Sequence, residues 1–186
     1  MADRKTSLRK IKRIVLVPHD PTWSGLFQAE AERLAAVYGP QVISIHHAGS
    51  TAIQGIKAKP ILDFLIIVRD IGKIDDFDDQ MIAIGYEAIG ENGIPGRRFF
   101  TKTVVGGTRV HNVHIFEIGH PEIERMLNFR DYLRAHPEEA QAYSQLKETL
   151  AQQYPCDIDR YTEGKSDFIN HMIQKAKVWR EQLERA

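Results

Sequence analysis

The chain has 186 residues, with Lys plus Arg at 25 and Asp plus Glu at 25, so its formal net charge is zero. That length suits one domain, or one domain with a helical extension, and the balanced charge argues against a general nucleic-acid binder, which carries a basic excess. One cysteine, Cys156, excludes an internal disulfide and fits a reducing, cytoplasmic setting, while no apolar run is long enough to span a bilayer and the basic start MADRKTSLRKIKRI has no apolar signal core behind it.

Residues 1–12 read as a solvated tail, 14–118 as a mixed-sheet core and 119–186 as a helical part of one unit. Ile14 to Val17 is a short β-branched run, broken by PHDPTW. Trp23, Phe27, Ala31, Leu34 and Tyr38 recur at helical spacing up to Gly39 and Pro40, with Asp20 placed to cap. VISI, Val42 to Ile45, suits a buried strand. ILDFLIIV, Ile61 to Val68, is too apolar to have a wet face and is expected to be central.

Between these two strands lies HAGSTAIQGIKAKPILD, His47 to Asp63. Gly49 allows close backbone approach, and Ser50 or Thr51 can cap a short helix expected to run up to Pro60. The N–H groups at a helix start attract anions, phosphate above all, and Lys57 and Lys59 add positive charge. Asp63 sits at the head of an apolar strand, where an ionised carboxylate needs a partner such as a divalent cation. The blander alternative is an ordinary Gly-Ser-Thr turn with Asp63 as a cap or ion-pair partner.

Lys73 to Ile84 reads as a helix stopped by Gly85, followed by a strand from Tyr86 to Ile89 and a loop, GENGIPG. Arg97 to Val105 and Arg109 to Ile118 form a hairpin about Gly106-Gly107. Alternation puts Asn112 and His114 on one face of the second strand and His111 and Glu117 on the other, so His111 and His114 cannot share a site without a bulge. Arg98 and Lys102 share a face of the first strand, as a polyanion site or as the charged face of an edge strand. Helical stripes follow from Pro121 onward: Ile123 to Leu133, with Arg130 interrupting the apolar pattern; Tyr143 to Tyr154; and Ile169 to Leu183. Tyr161 and Lys165 are i, i+4 neighbours if their segment is helical.

The His47–Asp63 stretch closely resembles the pattern H-x-G-S-T-[SA]-V-P-G-L-x-A-K-P-x-I-D of the GrpB family. VPHDPTWSGLF, GRRFF, HNVHIFE, FRDYLRAHPEEAQAY and YTEGKSDFI resemble further family blocks, so the likeness spans nearly the whole chain. The resemblance implies an α/β (α+β) nucleotidyltransferase-like fold: a mixed sheet flanked by helices, with the C-terminal helices packed on it. It also implies a nucleotide or other phosphorylated ligand. Gly49, Ser50, Thr51, Lys59, Arg98, Lys102, Arg130 and Lys165 would bind it, Asp63 and Glu117 would hold Mg2+, and Asp63, His47 and His114 would act in catalysis. Relatives fused to dephospho-coenzyme A kinase imply an accessory, non-catalytic binding role as the alternative. A third reading is a different enzyme using His47, His111 or His114 with Asp63 or Glu117. Two-metal transfer needs carboxylates bridging both ions, and the position that should supply the second is Leu65. Gln54 stands where the family usually has Pro, and Asn112 where it often has His.

Overall fold

The computed structural model describes residues 13–185; the expectation for residues 1–12 lies outside the described residues. Five strands form one sheet in the order β1-β2-β5-β4-β3. The strands are β1 (Val42–Ala48), β2 (Leu62–Val68), β3 (Tyr86–Gly90), β4 (Arg98–Val104) and β5 (Thr108–Glu117). β2 and β5 run parallel, and the other pairings are antiparallel, so the sheet is mixed as expected. The helices are α1 (Trp23–Tyr38), α2 (Asp78–Ala83), α3 (Pro121–Ala135), α4 (Pro137–Gln153), α5 (Ile158–Glu163) and α6 (Ser166–Glu184).

The apolar character of β2 has a direct cause. Phe64 and Ile66 pack with Leu34, Tyr38, Met81 and Val113 under α1 and α2, while Leu65 and Ile67 pack with Phe116 and Ile123 under α3. Phe64, Leu65 and Ile66 are fully buried. Each such side chain contributes roughly 1.5–3 kcal/mol by leaving water. The strand is covered on both faces but lies second from the edge; β5 is the central one.

Two expectations are corrected. The helix foreseen across Lys73 to Ile84 is two 3-10 turns, Ile71–Lys73 and Asp75–Phe77, followed by the short α2. The helix expected between Ser50 and Pro60 is a single 3-10 turn, Ser50–Ala52, followed by irregular chain. β-branched Thr51 and Ile53 and the positive-φ Gly55 give this stretch little helical preference. No macrodipole therefore stands behind the Gly-Ser turn.

Side chains from α3 and α4 hold the irregular stretch instead. The Arg130 and Arg134 guanidiniums donate to the His47 and Ala52 carbonyls at 2.9 and 2.8 Å. Gln141 donates to the Gly55 carbonyl at 2.8 Å, and the Ser144 hydroxyl accepts from the Lys57 amide at 3.0 Å. The Lys147 ammonium donates to the Lys57 carbonyl. Backbone polar groups that would otherwise be orphaned are satisfied in this way. An isolated bridge between Val17 and Ala58 pins the other side.

Candidate functional site

β1 ends at Ala48, and Gly49 turns the chain with φ 67° and ψ −170°. This conformation is open essentially to glycine alone. A Cβ on Gly49 would lie 2.1 Å from Asp63 Oδ2, so the glycine is also what lets Asp63 lie against the turn. The amides of Ala52 and Ile53 bond back to the Gly49 and Ser50 carbonyls, whereas among the described residues no backbone acceptor meets the Ser50 and Thr51 amides.

Asp63 opposes Ala48 on one side and Asn112 on the other. Asn112 Nδ2 donates to Asp63 Oδ1 at 2.8 Å, and His114 Nε2 stands 3.6 Å from the same oxygen. The Asp63 side chain keeps 23 % of its surface exposed and His114 keeps 17 %. Arg97, buried, donates to the Glu91 and Asn92 carbonyls and lies 3.3 Å from His114 Nδ1. A guanidinium donates hydrogen bonds and has no lone pair to accept one. Nδ1 is thus the acceptor, and the ring N–H is at Nε2, aimed at Asp63. Asn112 Oδ1 is buried without a partner.

Above Asp63 the helices bring cations together. Lys165 lies over the Tyr161 ring at 4.5 Å and Lys59 over the same ring at 5.5 Å, while Lys147 lies over Tyr143 at 4.6 Å. The hydroxyls of Tyr143 and Ser50 are hydrogen-bonded to each other. Burial, with neighbouring Lys165 and Lys59, pushes Lys147 down to about 7, and Glu148 opposes the shift. Burial and Lys59 push Lys165 down to about 8 against the pull of Asp63. Burial also lowers Lys59, with Asp63 opposing. Buried and half-buried ammonium groups on aromatic faces beside two free amides can receive an anion.

Of the residues singled out from the sequence, Gly49, Ser50, Thr51, Lys59, Asp63, His114 and Lys165 are gathered here. His47 flanks the turn but points to the other face of β1: its ring stacks on Phe27 at 4.6 Å, and its Nε2 lies 2.9 Å from Thr51 Oγ1. The Thr51 hydroxyl donates to the Ile61 carbonyl, so the His47 ring donates to Thr51. Burial pushes His47 down to about 4 and keeps it neutral.

The structure does not bring Arg98, Lys102, Glu117 or Arg130 to Asp63. The Arg98 fork is held by Asp75. Lys102 is paired with buried Glu30 at 2.7 Å, together with Tyr86 and His111. Arg98, Lys102, His111 and Glu117 all lie on the α1/α2 face of the sheet, opposite Asp63, because their positions differ from Thr101 and Asn112 by odd numbers of residues. Glu117 pairs in register with Val68 and accepts from the Ile71 amide at 3.0 Å. It is five residues along the sheet from Asp63, roughly 17 Å. Arg130 is bound to Asp131 and the His47 carbonyl, so it braces the turn. Lys57 is paired with Glu148. A cavity of about 660 Å³ lined by Pro18, His19, Gln54, Lys57, Ser144 and Glu148 lies beyond this pair, and neither Asp63 nor the three lysines line it.

Lys147 and Tyr143 were not foreseen, since Tyr143 fits an apolar helix stripe. The signal was available: Tyr143 and Lys147 have the same Tyr-x-x-x-Lys spacing as Tyr161 and Lys165.

The donor set around Asp63 does not suit magnesium. Leu65 is fully buried in the apolar cluster under α3, and the β5 partners of Asp63 and Leu65 are Asn112 and His114, neither of them an acid. Among the described residues no group of three His, Cys, Asp or Glu could hold a metal ion. These residues do not fit a pair of bridged ions.

His47 has a measurable consequence. Its pKa is lowered in the fold, so the unfolded chain binds the proton first, and the stability it contributes is complete above about pH 6.5 and is lost as pH falls toward 4. Because the ring keeps partial access to solvent, this contribution is about 2 kcal/mol. Urea unfolding of His47→Gln is expected to show a stability loss between these pH values smaller by that amount; an unchanged loss would show that His47 is not held neutral.

A family model described as "GrpB protein" matches residues 13–175. The Bacillus subtilis protein YqkA is 48 % identical over 169 residues, which cover 91 % of this chain and 49 % of YqkA, so the chain spans about half the length of that relative. A Mycolicibacterium paratuberculosis protein named dephospho-CoA kinase is 28 % identical over 93 % of this chain and 49 % of its own length. The crystal structure of conserved protein GrpB from Enterococcus faecalis superposes with a TM-score of 0.84 at 39 % identity, covering 89 % of this chain and 99 % of that one. Structures of the poly(U) polymerase Cid1 align at 12 % identity with a TM-score of 0.44, a likeness that says nothing of this chain's chemistry. In the described residues no helix is long and apolar enough to cross a membrane. With its signature turn and the sheet beneath it matched along most of their length, this chain belongs to the GrpB family.

Proposed function

We propose that the protein binds a phosphorylated small molecule, of nucleotide or coenzyme type, with its phosphate over the Gly49–Thr51 turn. Lys59, Lys147 and Lys165 supply the charge, and the two free amides of Ser50 and Thr51 supply directional donors. The observation that carries this reading is the gathering of three ammonium groups on the Tyr143 and Tyr161 rings with Asp63 as the carboxylate facing Lys59 and Lys165. Buried cations are costly unless compensated, and a bound anion compensates them.

The family resemblance also implies magnesium-dependent nucleotidyl transfer. The donor set argues for binding without a resident metal pair. Asp63 serves here as an internal counter-ion and, with Asn112 and His114, as a fixed wall that orients the ligand.

Calorimetric titration of the full chain with pyrophosphate, ATP and dephospho-coenzyme A, with and without magnesium, tests the reading. At least one is expected to bind without the metal and to lose about tenfold or more in affinity in Lys59→Met. Failure of all three, or equal binding by Lys59→Met, would overturn the site. Strict dependence on magnesium, lost in Asp63→Asn, would restore the metal-centred reading.

A further inference from the structure

Lys59 comes from the signature loop, Lys147 from α4 and Lys165 from the start of α6. The ammonium groups of Lys59 and Lys165 lie over the same Tyr161 ring at 5.5 and 4.5 Å, and that of Lys147 lies over Tyr143 at 4.6 Å. Of the acids acting on the cluster, Glu148 is already bonded to Lys57 Nζ at 2.6 Å, which leaves Asp63. Arg109 adds positive charge beside Lys59. The phenols supply no counter-charge: burial raises Tyr161, and Tyr143 is pushed up to about 12. With all three lysines protonated, one carboxylate faces three ammonium groups, a surplus of two positive charges within the cluster; Arg109 is exposed and screened by solvent.

Resting on the phosphate-site reading above, we infer that the site selects a dianionic group, such as a phosphomonoester terminus, over a phosphodiester monoanion, and takes up protons as the dianion binds. A dianion cancels the surplus, whereas a monoanion leaves one buried ammonium uncompensated or unprotonated. The ligand-free site meets its surplus by shedding protons, since Lys147 and Lys165 sit at about 7 and about 8. An anion over the cluster favours the charged amines and recovers those protons. The surplus also lies on the protein side, so charge neutralisation needs no divalent cation.

Sulfate is the decisive probe because it stays a dianion throughout the range, so any pH effect belongs to the protein. Titration calorimetry without divalent metal, in two buffers of different ionisation enthalpy, is expected to give heats that differ at about pH 7.5 in the sense of proton uptake. The dissociation constant should be at least about tenfold weaker at about pH 9 than at about pH 6.5. Dimethyl phosphate, a monoanion of similar shape, should bind at least about tenfold more weakly than sulfate. Lys165→Arg keeps its charge at every pH used; it should still bind sulfate with a smaller proton uptake. Sulfate binding that is independent of pH and buffer, or equal binding of dimethyl phosphate, would overturn this inference and leave the phosphate site standing. Absence of binding by both sulfate and pyrophosphate at every pH would overturn the site itself.

Discussion

Gly49→Ala is expected to lower the melting temperature by about 10 °C. Two costs act together. The backbone at φ 67° and ψ −170° lies in a region reserved for glycine, and forcing another residue there costs about 1–3 kcal/mol. The new Cβ would also stand 2.1 Å from Asp63 Oδ2 and 2.8 Å from Asp63 Cγ, so Asp63 must swing out of its bond to Asn112 or the turn must move. Overpacking of this kind adds about 1–3 kcal/mol, and about 4 kcal/mol in a chain of this size corresponds to the stated shift. The double variant Gly49→Ala/Asp63→Ala separates the two costs. It removes the Oδ2 and Cγ contacts but keeps the backbone strain and a Cβ contact of 3.1 Å. Thermal unfolding of the four proteins should show the double variant less destabilised than the sum of the singles by about 1 kcal/mol or more. Strict additivity would mean that Asp63 does not lie against the turn, and a wild-type melting temperature for Gly49→Ala would remove the basis of the site.

The strands were legible because their apolar pattern has one physical cause, burial on one or both faces. Alternation also separated His114 from His111 correctly: one faces Asp63, and the other faces Tyr86 and Glu30. What alternation does not reveal is which face of the sheet a given helix covers. Arg98 and Lys102 were matched in parity yet assigned to the wrong layer, where Asp75 and Glu30 neutralise them. The stretch after Ser50 reads as a short helix for a related reason. Its Gly-Ser opening resembles a helix start, but the backbone bonds of that stretch are supplied by Arg134, Gln141, Ser144 and Lys147, which lie 80 or more residues away in the chain. Lys147 escapes the pattern because a lysine on an amphipathic helix is normally solvent-facing, and here it is 2 % exposed, with its ammonium on the Lys57 carbonyl and over the Tyr143 ring. The Tyr-x-x-x-Lys spacing of Tyr161 and Lys165 recurs at Tyr143 and Lys147, so this pair is legible in the sequence by the same rule.

The double substitution Lys59→Met/Lys165→Met is expected to weaken pyrophosphate binding by at least about 100-fold while the melting temperature holds or rises. Hydrogen bonds to a charged group contribute about 1.5–3 kcal/mol each, so losing two costs roughly 3 kcal/mol or more. Methionine keeps the length of the lysine stem and can pack its sulfur on the Tyr161 ring in place of the two ammonium groups. The stability effect has the opposite sign because burial works against both charges. The Lys165 pKa is lowered in the fold, so between about 8 and the unfolded value near 10.4 the unfolded chain holds more protons, and wild-type stability climbs with pH across that window. Below it the full penalty for a buried ammonium is present, and there the variant gains most; toward about pH 10 the two proteins should converge. A site kept for ligand binding at the expense of stability behaves in this way. Titration calorimetry and thermal unfolding at about pH 7 and about pH 10 measure both effects. Lysines that serve only to hold α6 on the signature loop would give the reverse result, a destabilised variant that still binds pyrophosphate as the wild type does.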